Sequence, residues 1–111
     1  MYVINQDELP FSVIAREFEG ADHGGVDLSF LVVEAPPGGG PSLHRHGYAE
    51  LLLVQEGEAR VVAGDEERVV HAGDVVVIPA GTPHAFVNTG DGVLRQLDIH
   101  LSARFVTEWL E

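Results

Sequence analysis

The chain has 111 residues, no cysteine and a formal net charge of −12 at pH 7, which is enough for one domain with a single core. Six basic residues, all arginine, cannot form the basic patch that a nucleic-acid or anionic-membrane partner requires. The absence of cysteine excludes disulfides and thiolate metal ligands. The N-terminus lacks a cationic start followed by an apolar stretch, so we expect no signal peptide and predict a cytoplasmic protein with no membrane segment.

The first third of the chain predicts an arm or edge strand over residues 1–11, followed by a strand over 12–18. Residues 19–27 are rich in glycine and predict a loop, in which we expect His23 to be exposed. Most of residues 28–34 (LSFLVVE) are apolar, including neighbouring residues that face opposite sides of a strand. They therefore predict a strand buried on both faces. The sequence APPGGGP then ends that strand, because proline cannot donate to a sheet ladder.

The rest of the chain predicts many short strands separated by glycine and proline turns. Gly64-Asp65 is a good hairpin turn between two of them, and His71 lies beside another turn, where we expect it to be exposed. Short strands at even spacing indicate a β-barrel or a β-sandwich. The predicted strands cover residues 42–46, 50–56, 58–62, 67–70, 75–79, 85–88 and 93–100.

The tail is the one part of the chain that predicts a helix, over residues 102–111. Ser102 can cap it, and Phe105 with Trp109, and Val106 with Leu110, have the i,i+4 spacing of one helix face. We expect this helix to pack on the barrel as a lid.

Three histidines and one glutamate lie in apolar strands. Residues i and i+2 of a strand point to the same face, so His44 and His46 project together. Glu50 begins the next strand, and His84 follows a rigid Pro-Ala-Gly-Thr-Pro turn. Three imidazoles and a carboxylate suit Fe, Mn, Ni, Co, Cu or Zn. The alternative is a set of ordinary polar residues at a barrel mouth. An octahedral ion would keep two positions for water or substrate, whereas a closed tetrahedral zinc site would be structural.

The spacing around these residues resembles the two sequence motifs of the cupin family. The first motif matches as Gly38, five residues, His44-Arg45-His46, three residues, Glu50, six residues and Gly57. The second matches as Gly73, five residues, Pro79-Ala80-Gly81, two residues, His84, three residues and Asn88. The resemblance covers roughly residues 28–100.

The resemblance implies an all-β, cupin-type jelly-roll β-barrel (a double-stranded β-helix), which we extend to a single domain over residues 1–111 with the short C-terminal helix. It also implies a homodimer, and one divalent transition metal held inside the barrel. The ligands that it implies are His44, His46, Glu50 and His84, whereas Asn88 and the motif glycines would be structural.

The last predicted strand has a polar face and an apolar face, and either can be the interior. Gln96, Asp98 and His100 share one face, opposite Leu97 and Ile99; we favour the apolar face as the interior. If the polar face is the interior, Gln96 or His100 can orient a substrate or move a proton near the metal. Tyr48 can reach the barrel mouth. The catalytic candidates are therefore Gln96, His100 and Tyr48, and the expected apolar interior positions are Leu52, Val54, Phe86 and Phe30.

Two functions are compatible with these features. The first is a metal-dependent enzyme that acts on a small organic molecule, in the manner of a dioxygenase, an isomerase or a cyclase. The second is a non-catalytic ligand-binding or sensing cupin with a structural metal. Fold and motif do not choose between them. A mostly apolar interior without lysine favours a small aromatic, keto or polyketide-like ligand over a phosphosugar or polyanion.

Overall fold

A computed structural model describes residues 1–111 as an all-β fold with two antiparallel sheets. The only helical element is a single 3-10 turn, Gln6–Glu8, which Asn5 caps; residues 1–10 therefore form an arm rather than a strand. The strands are β1 (Phe11–Ser12), β2 (Ala15–Glu19), β3 (Ser29–Ala35), β4 (His44–Arg45), β5 (Glu50–Glu56), β6 (Glu58–Ala63), β7 (Glu66–His71), β8 (Val75–Ile78), β9 (His84–Asn88), β10 (Leu94–His100) and β11 (Glu108–Trp109).

The larger sheet has six strands in the order β1-β2-β3-β10-β5-β8, and the smaller sheet has five in the order β11-β4-β9-β6-β7. Their inner faces enclose the apolar core, to which Leu52, Val54, Val61 and Phe86 contribute. Each sheet buries alternate residues, as the strand period of two requires; β9, for example, buries His84, Phe86 and Asn88. This is the predicted jelly-roll arrangement, and the hairpin at Gly64-Asp65 is confirmed between β6 and β7.

The predicted strand over residues 12–18 is two strands. Val13 has a φ of 54° and Ser12 pairs with Ala15, so the chain reverses within a tight turn between β1 and β2. A positive φ is costly for a β-branched residue, and no glycine or proline signals this turn in the sequence.

The favoured orientation of the last strand is wrong, because the polar face of β10 is the interior. Gln96, Asp98 and His100 are each at most 3% exposed, whereas Leu97 and Ile99 are only half-buried. The register explains this result: His100 lies opposite Glu50 on β5, and Gln96 lies opposite Val54. Directly opposed residues point to the same side of a sheet, so the polar row shares the inner face with Glu50.

The predicted C-terminal helix is also wrong. The tail runs through bends at residues 101–104 to β11, which pairs with β4, and the Leu110 N–H donates to the Leu43 carbonyl at 2.9 Å. Val106 and Trp109 are 62% and 60% exposed, so the i,i+4 apolar pairs bury no common face. A ten-residue helix has little stability of its own, whereas the edge of β4 offers unpaired backbone groups that the tail can satisfy.

No helix in the structure has both the length and the apolar character needed to cross a membrane.

Candidate metal centre

The structure brings His44, His46, Glu50 and His84 together at the inner face of both sheets. His44 on β4 lies directly opposite His84 on β9, and Glu50 begins β5 in the other sheet. The ligand-type atoms of the four side chains all lie within 4.8 Å of one another, and each residue is between 2% and 6% exposed. The two motifs also contact each other through their backbones, since the Gly81 N–H donates to the His46 carbonyl at 2.7 Å.

Backbone carbonyls set the orientation of all three histidine rings. The Nδ1 atoms of His44, His46 and His84 lie 2.7 Å, 2.9 Å and 2.8 Å from the carbonyls of Ser42, Val106 and Thr82, respectively. A carbonyl only accepts a hydrogen bond, so each Nδ1 carries a proton and each Nε2 is the atom left for a metal. Such hydrogen bonds from the far ring nitrogen are the usual support of metal-binding histidines.

One oxygen of Glu50 completes the cluster. Oε1 lies 3.0 Å from His84 Nε2 and 3.1 Å from His46 Nε2. The His46 nitrogen is fully buried, yet it makes no hydrogen bond, although buried polar atoms almost always have a partner. An unpartnered nitrogen beside a carboxylate oxygen and two further imidazoles is the donor set of a divalent transition metal. The residues present therefore fit the predicted metal.

Burial and mutual contact shift the pKa values of this cluster. Burial raises the pKa of Glu50, but its contacts with His100, His46 and His84 outweigh burial and hold that pKa well below its ordinary range. Burial lowers the pKa of His44, and the neighbouring His84 and His46 lower it further. For His84 burial also lowers the pKa, yet the bond to Glu50 raises it overall. A proton on His84 Nε2 would donate to Glu50 Oε1, 3.0 Å away, and this contact favours the protonated ring.

One of the three catalytic candidates, His100, contacts Glu50, and a second, Tyr48, contacts His100. His100 Nε2 is 3.2 Å from Glu50 Oε2, and His100 Nδ1 is 2.8 Å from the Tyr48 hydroxyl. Burial raises the pKa of Tyr48, so its hydroxyl keeps its proton at neutral pH. The third candidate, Gln96, is 2% exposed and lies away from the cavity wall, where its Nε2 donates to Asp98 Oδ1 at 2.7 Å.

The cluster forms part of the wall of a cavity of about 410 Å³. Apolar side chains that line it include Leu31, Val33 and Phe86 from the sheets and Phe105 and Trp109 from the tail. The Trp109 ring lies 5.0 Å from the His44 ring. The lining contains no lysine or arginine. The tail therefore roofs the site, as predicted for a lid, but as an extended segment rather than a helix.

The cavity also contains residues that the sequence did not single out. Glu17, Glu19 and Asp98 line it in addition to Glu50, and burial together with the charge of Glu50 raises the pKa of Asp98 well above its ordinary value. Only its place on one face with Gln96 and His100 could have identified Asp98. Of the expected interior positions, Phe86 lines the cavity and Leu52 and Val54 lie in the core. The fourth, Phe30, is wrong: it lies on the outer face of β3, stacked on Phe18.

The two loop histidines lie outside the centre. His71 is exposed, as predicted, and contacts Glu58 at 3.0 Å. His23 is half-buried rather than exposed, because its ring stacks on Phe18 and contacts the Tyr2 hydroxyl at 2.6 Å.

Comparison with known proteins agrees with this geometry. A family model described as "Cupin domain" matches residues 31–100. The chain belongs to the cupin family. An auxin-binding protein, ABP19b, from Prunus persica is 37% identical over 83 residues, which are 69% of this chain and 39% of that protein. This cupin thus spans well under half the length of the curated relative.

Solved structures share the fold. Oxalate decarboxylase from Bacillus subtilis superposes with a TM-score of 0.86 at 24% identity, over 96% of this cupin and 31% of that chain. That enzyme has Mn(II) centres. A conserved protein of unknown function from Streptococcus pyogenes matches with a TM-score of 0.64 at 22% identity, over 72% of this cupin and 68% of that chain. At these identities the likeness concerns the fold alone.

Proposed function

We propose that this cupin binds one divalent transition metal through His44, His46, Glu50 and His84 and uses it to act on a small organic molecule. The observation that carries the proposal is the convergence of three imidazole Nε2 atoms and one carboxylate oxygen in the wall of a 410 Å³ cavity. When bound, the metal supplies a Lewis acid or an oxygen-activating centre. The candidates are Fe, Mn, Ni, Co, Cu and Zn, and the Mn(II) centres of the Bacillus enzyme make Mn(II) the first metal to test.

The cavity favours a ligand with little or no negative charge. Its lining contains no cationic side chain, whereas Glu17, Glu19 and Asp98 add acidic groups. A dicarboxylate or a phosphosugar would find only the metal as a counter-charge, and desolvating the rest of its charge would be costly. The aromatic rings of Phe86, Phe105 and Trp109 instead offer flat apolar contacts. A small aromatic, keto or polyketide-like compound fits this lining best.

The test of the metal site is calorimetric titration and thermal unfolding with Mn(II), Fe(II), Ni(II) and Zn(II). A metal at 100 times its Kd is expected to stabilise the folded protein by about 2.7 kcal/mol. Glu50→Gln should lose most of this stabilisation, and Glu66→Gln, at an exposed position, is the matched control. If no metal binds to the wild-type protein or raises its unfolding temperature, the proposal is wrong.

A second candidate function is non-catalytic ligand binding around a structural metal. The observation in its favour is that both ring nitrogens of His100, which lines the cavity, already contact Glu50 and Tyr48, and that Tyr48 is not part of the cavity lining. Oxygen uptake and product analysis with small aromatics and diketones, on metal-loaded protein, distinguish the two functions. A compound that binds with the metal but is recovered unchanged favours the binding role.

Two further expectations concern the oligomeric state of the protein and its location in the cell. We propose a homodimer formed through the outer face of the six-stranded sheet, where Val75 and Val77 are 59% and 64% exposed beside half-buried Leu51 and Leu97. A contiguous apolar sheet face of this kind is typical of an interaction surface. The cytoplasmic location stays a prediction from the sequence.

A further inference from the structure

The two oxygens of Glu50 have different neighbours. Oε1 faces the metal-binding nitrogens of His46 and His84, whereas Oε2 faces His100 Nε2 at 3.2 Å. His100 and Glu50 lie directly opposite each other on β10 and β5, so their side chains meet across one step of the sheet. The carboxylate is therefore held between the metal-binding histidines on one side and a fourth imidazole on the other.

His100 Nε2 is fully buried and has no hydrogen bond of good geometry, although it lies 3.2 Å from Glu50 Oε2. An ionised carboxylate accepts but cannot donate, so this contact is favourable when His100 Nε2 carries a proton. His100 Nδ1 is then the acceptor for the Tyr48 hydroxyl, 2.8 Å away. The Tyr48 oxygen in turn accepts the Val106 N–H at 3.2 Å. Hydrogen bonds therefore join the tail backbone to Tyr48 and Tyr48 to His100, and the other ring nitrogen of His100 contacts Glu50.

Packing holds the rings of both residues in place. The His100 ring makes edge contacts with His46 at 4.6 Å and with Phe105 at 4.9 Å between centroids. The Tyr48 ring stacks on His46 at 5.0 Å, with 15° between the planes. His100 is only 3% exposed. A ring with so many neighbours has little freedom to turn towards a substrate, and it restricts rotation of the carboxylate that it touches.

We propose that Tyr48 and His100 are a positioning pair that holds Oε2 of Glu50 and so presents Oε1 alone to the metal. This inference rests on the proposed metal site and assigns the pair a role through Glu50. A carboxylate without the pair can turn and offer both oxygens to a metal, which changes the number of protein ligands. With the pair in place Glu50 would supply one oxygen to a bound metal, which would leave room on the cavity side for a small molecule.

The experiment measures Mn(II) in the full chain with four variants. His100→Leu removes both ring nitrogens, His100→Gln restores an N–H near the position of Nε2, and Tyr48→Phe removes only the hydroxyl. His71→Gln, at an exposed histidine outside the centre, is the control. The measurements are the Mn(II) dissociation constant by calorimetry, the fine structure of the bound Mn(II) in electron paramagnetic resonance, and the unfolding temperature of the metal-free protein.

We expect His100→Leu to weaken Mn(II) binding by about 10- to 100-fold, the usual effect of removing a group that orients a metal ligand. The fine structure of its bound Mn(II) should change, because the coordination of the carboxylate changes. Tyr48→Phe should show the same spectral change with a loss of about tenfold or less. His100→Gln should stay close to wild type, and His71→Gln should equal it. A purely structural role would lower the unfolding temperature of the metal-free protein without altering the spectrum.

Wild-type affinity and an unchanged spectrum in His100→Leu would overturn the inference and leave the proposed metal site standing. If His100→Leu does not fold, Tyr48→Phe decides in the same way, because it removes a single oxygen atom. Equal losses in His100→Gln and His100→Leu would also overturn it, since an N–H near Nε2 would then be irrelevant. Absence of Mn(II) binding by the wild-type protein would instead refute the proposed function, and this inference with it.

Discussion

Asp98→Asn is expected to stabilise the metal-free protein at neutral pH. Asp98 is 2% exposed on β10 and lies opposite Leu52 on β5 and Leu31 on β3. Its Oδ1 accepts a hydrogen bond from Gln96, which an asparagine oxygen can also accept. No arginine or lysine lines the cavity that it faces. An ionised Asp98 would thus be a buried charge without a cationic partner, and asparagine removes it without changing the shape of the side chain.

The magnitude follows from proton linkage. Burial, with the charge of Glu50, raises the pKa of Asp98 well above its ordinary value of 3.8. Above pH 4 the unfolded chain releases this proton while the folded chain retains it. The free energy of unfolding of the wild type then falls by about 1.4 kcal/mol per pH unit until the pH passes the folded pKa. The asparagine variant lacks this loss. The two proteins should be similarly stable near pH 4, and the variant should gain steadily above it.

Urea unfolding at half-unit steps from pH 4 to pH 8, with chelator present, measures the difference between the two proteins. Taking the difference cancels the ionisations that Asp98 does not influence, such as those of the exposed carboxylates. Asp91→Asn, at an exposed position in a turn, is the matched control and should show no pH-dependent gain. A stability difference for Asp98→Asn that does not change with pH would refute the reasoning, because it would mean that Asp98 ionises alike in the folded and unfolded chain.

Three further predictions concern the metal, the packing and the outer sheet face. Metal binding should release a proton at pH values below the raised pKa of His84 and should tighten as pH rises towards that pKa, because the contact with Glu50 outweighs burial and raises it above the ordinary 6.5. Calorimetry in two buffers of different ionisation enthalpy measures this, and an affinity independent of pH would contradict it. Gly40→Ala should lower the free energy of unfolding by about 1–3 kcal/mol, since its Cβ would overlap the Phe86 carbonyl. Gly47→Ala, which meets no atom within 4 Å, should leave thermal unfolding unchanged. Val77→Glu should shift the sedimenting species to a monomer, whereas Val69→Glu, at an exposed position of the other sheet, should not. A monomeric wild type would contradict the dimer, and a dimeric Val77→Glu would contradict this interface.

The sequence predicts the centre better than it predicts the surroundings. The spacing of two strand histidines by one residue places them on one face whatever the rest of the fold does. Gly57, which ends the first motif, and Gly81, within the second, have the positive φ angles that only glycine adopts easily, 94° and 80°. These local rules are independent of long-range packing. The four proposed ligands could therefore be named, and are brought together, without knowledge of the sheet order.

The tail shows that a local sequence pattern does not predict pairing with a distant strand. Its i,i+4 apolar pairs satisfy the pattern of a helix, but the pattern carries no information about an open strand edge elsewhere. β4 is paired with β9 on one side, and its other side is covered by β11. The tail lies about 60 residues further along the chain than β4, so no window of sequence contains both. Because the tail pairs with β4, the Val106 carbonyl can accept the His46 Nδ1–H. A helix over residues 102–111 would not make this contact.

The inverted orientation of β10 has a different cause. The alternation of polar and apolar residues along a strand separates its two faces but does not show which face is inside. The usual choice of the apolar face as the interior assumes that the outer face meets water. Here the inner face carries a polar row, of which His100 contacts Glu50, and the outer face carries Leu97 and Ile99 with Leu51 and Val77 beside them. A sheet that is apolar on its outer side is stable against water only when something covers it. The burial of Gln96, Asp98 and His100 and the proposed dimer are for this reason two consequences of one arrangement of the strand.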